Sequence, residues 1–303
     1  MARSRFRADR GLTLRMGGVS LGLGALYVAF GAVLISFSGS AVIGLVITVA
    51  LAWGQWYFSD TLALKSMGAR VVSPEQAPEL HAMIDRLCVM ADMPKPTVAV
   101  AVTDLPNAFA TGRTPRHSAV CVTTGIMQRL DADELEGVLA HELSHVANRD
   151  VSVMTVASSL GLLAGFITRW GFYLGAGSND RDNRNGNGNG VPFIVVFLVS
   201  MLVYFVSFLL TRALSRYREL SADRSGAYLT GRPSKLASAL VKISGDMSRI
   251  PNEDLRGAQA LSAFFFAPAI NRASVNAVMA THPPLEQRLA QLAKVGAELS
   301  DPI

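Results

Sequence analysis

The segment DADELEGVLAHELSHVANRD, residues 131–150, carries two histidines four apart, with a glutamate directly after the first. Residues i and i+4 lie on one face of a helix, so His141 and His145 can offer imidazole nitrogens to a single cation. Glu142 falls on the adjoining row, beside a metal's water rather than beside the metal. Zinc-dependent hydrolysis needs that division of labour. Two neutral imidazoles hold Zn2+, the ion lowers the pKa of its water toward ~7, and a neighbouring carboxylate takes that proton and delivers it to the leaving amine. The chain has five histidines in 303 residues, which makes a chance HExxH an event on the order of one in 400. The competing reading is a solvated helix face with a Glu–His pair.

A catalytic zinc site takes a third protein ligand and keeps a fourth position open. Asp150, Glu219, Asp223 and His282 are eligible. Asp150 sits at or just past the end of the histidine helix, at an awkward angle. Glu219 and Asp223, in RELSAD, are again i and i+4, so one can ligate while the other orients an imidazole. Cys88 and Cys121 form no CxxC pair and lie far from the histidines in sequence; both read as small buried hydrophobes. His81 and His117 lack partners at useful spacing and read as structural or surface residues.

The elements that position these residues belong to a membrane protein. Half of the residues are apolar, only 17% are charged, and the apolar ones are clumped. Residues 17–37 are too long for the ~7–15-residue core of a signal peptide and fit a spanning helix. Further spans are expected at about 41–60, 151–168 and 191–211, with Trp53, Trp56 and Tyr57 as an interfacial belt. Between the second and third spans the chain turns polar. Ser73 and Pro74 signal a helix start, KPTVAVAVTD, NAFATG and SAVCVTTGIM read as strands, and the aspartates of DADELEG cap the histidine helix. Residues 176–190 are a glycine- and asparagine-rich polar linker.

The formal charge is +5, but the arginines flank apolar runs and form no stripe with interleaved aromatics, so nucleic acid is not expected as a partner. Arginines precede the first span and follow the fourth, which places both termini and both polar segments in the cytoplasm; the absence of a disulfide framework agrees with a reducing compartment.

HELSHVANRD, followed after two apolar stretches by RELSADRSGA, resembles the HtpX family of membrane zinc metalloproteases, gluzincins related to the type I CAAX prenyl proteases. LPNAFATG is similar to that family's edge-strand signature, and THPPLEQRL to its C-terminal His-Pro-Pro and arginine segment. The resemblance covers nearly the whole chain. It implies one Zn2+ per chain held by His141, His145 and Glu219, with Glu142 as general base and acid and Asp223 supporting a histidine ligand. Asn107, Ala108, Phe109 and Ala110 would line the cleft, where their backbone pairs with an extended substrate. His282, or as a second choice Arg288, would stabilise the developing oxyanion.

The expected architecture is a mostly α integral membrane protein with four transmembrane helices and a cytoplasmic α+β zincin-like domain bearing a small edge sheet. A two-span hairpin (1–64) precedes the first part of the catalytic domain (65–150); a second hairpin (151–211) precedes the second part (212–303). The resemblance further implies a multi-pass protein of the bacterial plasma membrane that cleaves misfolded or damaged membrane proteins. The oligomeric state is not legible. Two other readings compete. In an intramembrane protease the HExxH lies inside a span, whereas here DADELEG and NRD flank it. In a four-span scaffold or chaperone the metal is structural and closed by four protein ligands, often cysteines.

Overall fold

The structure is a computed structural model that describes residues 10–37, 58–150, 193–247 and 282–300, together with parts of 46–57 and 152–165. The linker 176–190 and much of the second and third expected spans lie outside the described residues. The first expected span falls within helix α1 (Arg10–Phe37), and the fourth, from residue 193 onward, falls within α6 (Phe193–Thr230). Among the described residues one helix is long and apolar enough to cross a membrane, Phe197–Thr230. The 38-residue α6 runs unbroken from this apolar half into the charged RELSAD segment. Leu23 of α1 packs with Ala157 and with Leu210 and Leu214 of α6.

Helix α2 (Ser59–Ser66) leads into a four-stranded sheet of order β1-β2-β4-β3, formed by Arg70–Val71, Thr97–Ala101, His117–Thr123 and Ala108–Thr114 respectively. β2 and β4 are parallel; the other pairings are antiparallel. β3 is therefore an edge strand. Its register, Ala110 opposite Val120, sets the alternation: Phe109 packs with Ala63, Ala99, Ala101 and Cys121 on one face, and Ala108 joins the main core on the other. Gly112 carries φ +129, and a Cβ there would stand 2.3 Å from the His117 carbonyl oxygen, so the hairpin closes tightly only with glycine. Trp56 Nε1 donates to Ser152 Oγ at 2.8 Å, Ser152 Oγ donates to the Arg113 carbonyl, and the Arg113 guanidinium lies 4.3 Å over the Tyr57 ring. This knot ties the hairpin to the aromatic segment at residues 53–58.

Helix α3 (Pro78–Ala91) begins later than Ser73 and Pro74 suggest. Ser73 instead opens a turn, accepting from the backbone N–H groups of Gln76 and Ala77. Pro78 excludes Ala77 from helical geometry, and Ala77 adopts φ −143, ψ 64, so the helix cannot run through from Pro74. After the short α4 (Thr124–Arg129) comes α5 (Ala132–Ala147), the histidine helix. Asp131 caps it in a reciprocal capping box with Glu134, satisfying two end donors. Glu134 is buried, and Ser238 and Lys242 of α7 (Pro233–Met247) bond it at 2.6 and 2.7 Å. Val138, Leu139 and Leu143 are fully buried, each contributing roughly 2 kcal/mol of apolar burial. Helix α8 (Leu285–Ser300) completes the core through Leu292 and Val295, and its Glu298 binds Arg224 of α6. α5 thus sits centrally, with β3 on one side and α6 and α7 on the other.

Candidate metal centre

α5 turns His141 and His145 to one side, with their Nε2 atoms 3.2 Å apart. α6 crosses this face and presents Glu219, Asp223 and Gly226, spaced i, i+4 and i+7. Glu219 brings Oε2 to 3.7 Å from His141 Nε2 and Oε1 to 3.5 Å from His145 Nε2. A Cβ on Gly226 would stand 2.8 Å from the His141 backbone nitrogen. The two helices therefore touch backbone to backbone, which brings a glutamate from one helix between two imidazoles of the other.

The other edge of each imidazole meets a carboxylate. His141 Nδ1 is 3.0 Å from Asp223 Oδ1, and His145 Nδ1 is 2.5 Å from Asp150 Oδ2. Arg288 bonds Asp223 through Nε (2.7 Å) and Nη2 (2.6 Å), and Arg218 pairs with Asp150. A neutral imidazole has one N–H. With that proton on Nδ1, facing a carboxylate, both Nε2 atoms are acceptors, and they converge on a third acceptor, Glu219. The donor atoms of His141, His145 and Glu219 all lie within 4.8 Å of one another. Three acceptors sharing a pocket with no proton among them are satisfied by a cation. Charge gives the same answer: Glu142, Glu219, Asp223 and Asp150 are buried carboxylates, and Arg218 and Arg288 are the buried guanidiniums beside them. With Glu142 ionised, four against two leaves a formal excess of two negative charges; with Glu142 protonated the excess is one, and either favours a cation. The residues fit a metal.

Glu142, buried on the next row of α5, accepts the Ala110 backbone N–H at Oε2 over 2.9 Å. That N–H points off the edge of β3, away from β4. Burial pushes the Glu142 carboxyl up to about 7, and the charge of Glu219 adds to the rise against the opposing pull of His145 and the Ala110 bond. Burial drives His141 the other way, down to about 4, although Asp223 favours its charged form. His282 is buried beside the centre, its Nδ1 3.0 Å from Glu219 Oε2.

The structure gathers His141, Glu142, His145, Glu219, Asp223, His282 and Arg288 at one place, with Ala110 at its rim. Arg288 enters through Asp223; it is 1% exposed, and its Nη1 stays 3.8 Å from Glu219. Asn107 is fully buried, its backbone bonded to Thr123, and Phe109 points into the core, so the rim is formed by backbone rather than by these side chains. Asp150 lies behind His145, on the edge away from Glu219, and not among the convergent acceptors. Sequence reasoning missed Arg218, Gly226 and the Ala110–Glu142 bond. The glycine three residues after Asp223 was the one visible signal. Cys88 and Cys121 are buried in hydrophobic clusters, with burial pushing their thiols up to about 11 and about 12. His81 bonds the Val72 carbonyl, a structural role.

A helix bearing HExxH, a glutamate from a second helix closing the triad, and an edge strand held against the intervening glutamate together define a metallopeptidase of the gluzincin type. The chain belongs to peptidase family M48, whose family model matches residues 74–295. It is 55% identical to Protease HtpX homolog 1 of Streptomyces coelicolor over 300 residues, covering 98% of this chain and 97% of that protein. It is 51% identical over 268 residues to the Protease HtpX homolog of Moorella thermoacetica, covering 87% and 88%. The fold is similar to the crystal structure of S. mikatae Ste24p, with a TM-score of 0.53 and 17% identity, over 95% of this chain and 67% of that one. The chain is a metalloprotease, and the scaffold reading is not favoured.

Proposed function

We propose that the chain is a zinc endopeptidase embedded in the bacterial plasma membrane, cutting misfolded or damaged membrane proteins at its cytoplasmic surface. The observation that carries this reading is the convergence of His141, His145 and Glu219 beside a Glu142 already fastened to an edge strand. Two imidazoles and one carboxylate suit Zn2+. When bound, the ion supplies Lewis acidity to the scissile carbonyl and to the attacking water. Glu142 accepts the water's proton and passes it to the leaving nitrogen. The Ala110 N–H holds Oε2, which leaves Oε1 for the transfer. An extended substrate lies along the outward backbone of β3 near Ala108 and Ala110 by strand addition. His282 stabilises the oxyanion, and Asp223, braced by Arg288, fixes the His141 ring.

Membrane placement is supported by α6. Its apolar half ends near Arg212, and Glu219 follows about 11 Å further along the helix at ~1.5 Å per residue. A rise of that size supports a site just outside the hydrocarbon layer rather than an intramembrane one. Four apolar runs support four spans, and the arginine distribution supports cytoplasmic termini. The test is cleavage of an unfolded membrane-protein substrate by wild type and Glu142→Gln, each stripped with chelator and then resupplied with zinc. Activity should return with zinc in wild type alone. A Glu142→Gln protein that cleaves like wild type would refute the mechanism.

A further inference from the structure

We propose that Asp150, braced by Arg218, is a positioning residue that fixes the His145 ring toward the metal; this rests on the metal reading above. HELSH ends in an ordinary helix terminus: Asn148 is the C-cap and its N–H returns to Ser144. The next residue is unusual. Arg149 takes φ 56, a left-handed conformation that costs a non-glycine residue roughly 1 kcal/mol. It turns the chain at the end of α5, and the Asp150 carboxylate meets His145 Nδ1 at 2.5 Å.

Both carboxylate oxygens are in use. Oδ2 faces the imidazole, and Oδ1 faces the guanidinium of Arg218, which is 5% exposed and immediately precedes Glu219 on α6. Asp150 cannot itself be a ligand from this side, because His145 turns its opposite edge, Nε2, to Glu219. What the pair does is close a ring of contacts: His145 to Asp150, Asp150 to Arg218, Arg218 through one peptide to Glu219, and Glu219 back to His145. Two ligands on different helices are thereby locked to each other from behind. The carboxylate also holds the proton on Nδ1, which keeps Nε2 free to coordinate, and raises the basicity of the ring. His141 has the matching arrangement in Asp223 and Arg288, so both imidazoles are set by a buried carboxylate–guanidinium pair.

The test measures Zn2+ affinity of the purified full-length protein by competition with a chromophoric chelator, alongside its thermal stability. Asp150→Ala is expected to weaken zinc binding about 10–100-fold. It also strands a buried guanidinium, so loss of stability alone could explain the change. The double variant Asp150→Ala/Arg218→Met removes both charges and leaves no orphan. It should regain thermal stability while zinc affinity stays low. A double variant, or Asp150→Ala itself, that binds zinc as tightly as wild type while His145→Ala does not would overturn the proposal and leave the metal site standing. Wild-type zinc binding by His145→Ala would instead overturn the metal reading beneath it.

Discussion

Gly226→Ala isolates the contact that brings the two ligand-bearing helices together. The added methyl would lie 2.8 Å from the His141 nitrogen, 3.1 Å from its Cα and 3.2 Å from the Ala140 carbonyl carbon. All three are backbone atoms that cannot swing aside. Ordinary carbon contacts begin near 3.5 Å, so α5 and α6 must part by about 0.7 Å. Overpacking of this kind costs about 1–3 kcal/mol. Alanine in a helix interior returns about 1 kcal/mol of that through backbone entropy, leaving a net loss of about 0–2 kcal/mol. Activity has no such compensation. Glu219 rides on α6 and His141 on α5, so the separation is transmitted to the 3.7 Å gap between Nε2 and Oε2, and a misplacement near 1 Å costs about 10²-fold in rate. The expected result is a folded protein, slightly destabilised, whose kcat/KM at saturating zinc falls about 10–100-fold. Gly245→Ala on α7 is the control, because a Cβ there meets nothing within 4 Å; it should gain stability at full activity. If Gly226→Ala behaves like Gly245→Ala, the close crossing does not set the site.

The Ala110 N–H leaves the sheet to reach Glu142, so Ala110→Pro removes that bond without breaking a β3–β4 ladder bond. Loss of a hydrogen bond to a charged acceptor costs about 1.5–3 kcal/mol of stability, so the melting temperature should fall by several degrees, and the misplaced base should lower kcat about 10–100-fold; an unaltered kcat would show that the strand does not hold the base. The pH behaviour of metal-free protein follows from two opposed shifts. Glu142 is raised from 4.5 to about 7, so its contribution to stability is present below pH 4.5 and is lost as pH rises to 7. His141 is lowered from 6.5 to about 4, so its contribution is present above pH 6.5 and is lost as pH falls to 4. Each is on the order of 3 kcal/mol, and between pH 4.5 and 6.5 they cancel. In chelator, thermal stability of Glu142→Gln should climb with pH across that window while wild type climbs much less; parallel curves would refute the assignment.

The parts of the site that the sequence disclosed are those fixed by one helix at a time. His141 and His145 four apart, and Asp131 with Glu134 three apart, need only the helical repeat, and the structure holds both pairs as that repeat requires. Glu219 was one of several eligible acids, and family resemblance selected it, because no spacing links residue 145 to residue 219. The strands followed from β-branched alternation, but the edge position of β3 depends on β4 pairing in parallel with β2, a non-local choice. Pro74 suggested a helix start that Pro78 overrules, since two prolines four apart offer the same local signal and only the one entering the packed helix counts. Asp150 shows the limit best. Helical geometry points it away from His145, and the left-handed turn at Arg149 that reverses this is made by a residue type that gives no notice of it. The turn persists because the carboxylate it delivers is gripped from both sides, by an imidazole of α5 and a guanidinium of α6. The strain and its compensation therefore lie on different elements, and the local sequence records only the strained half.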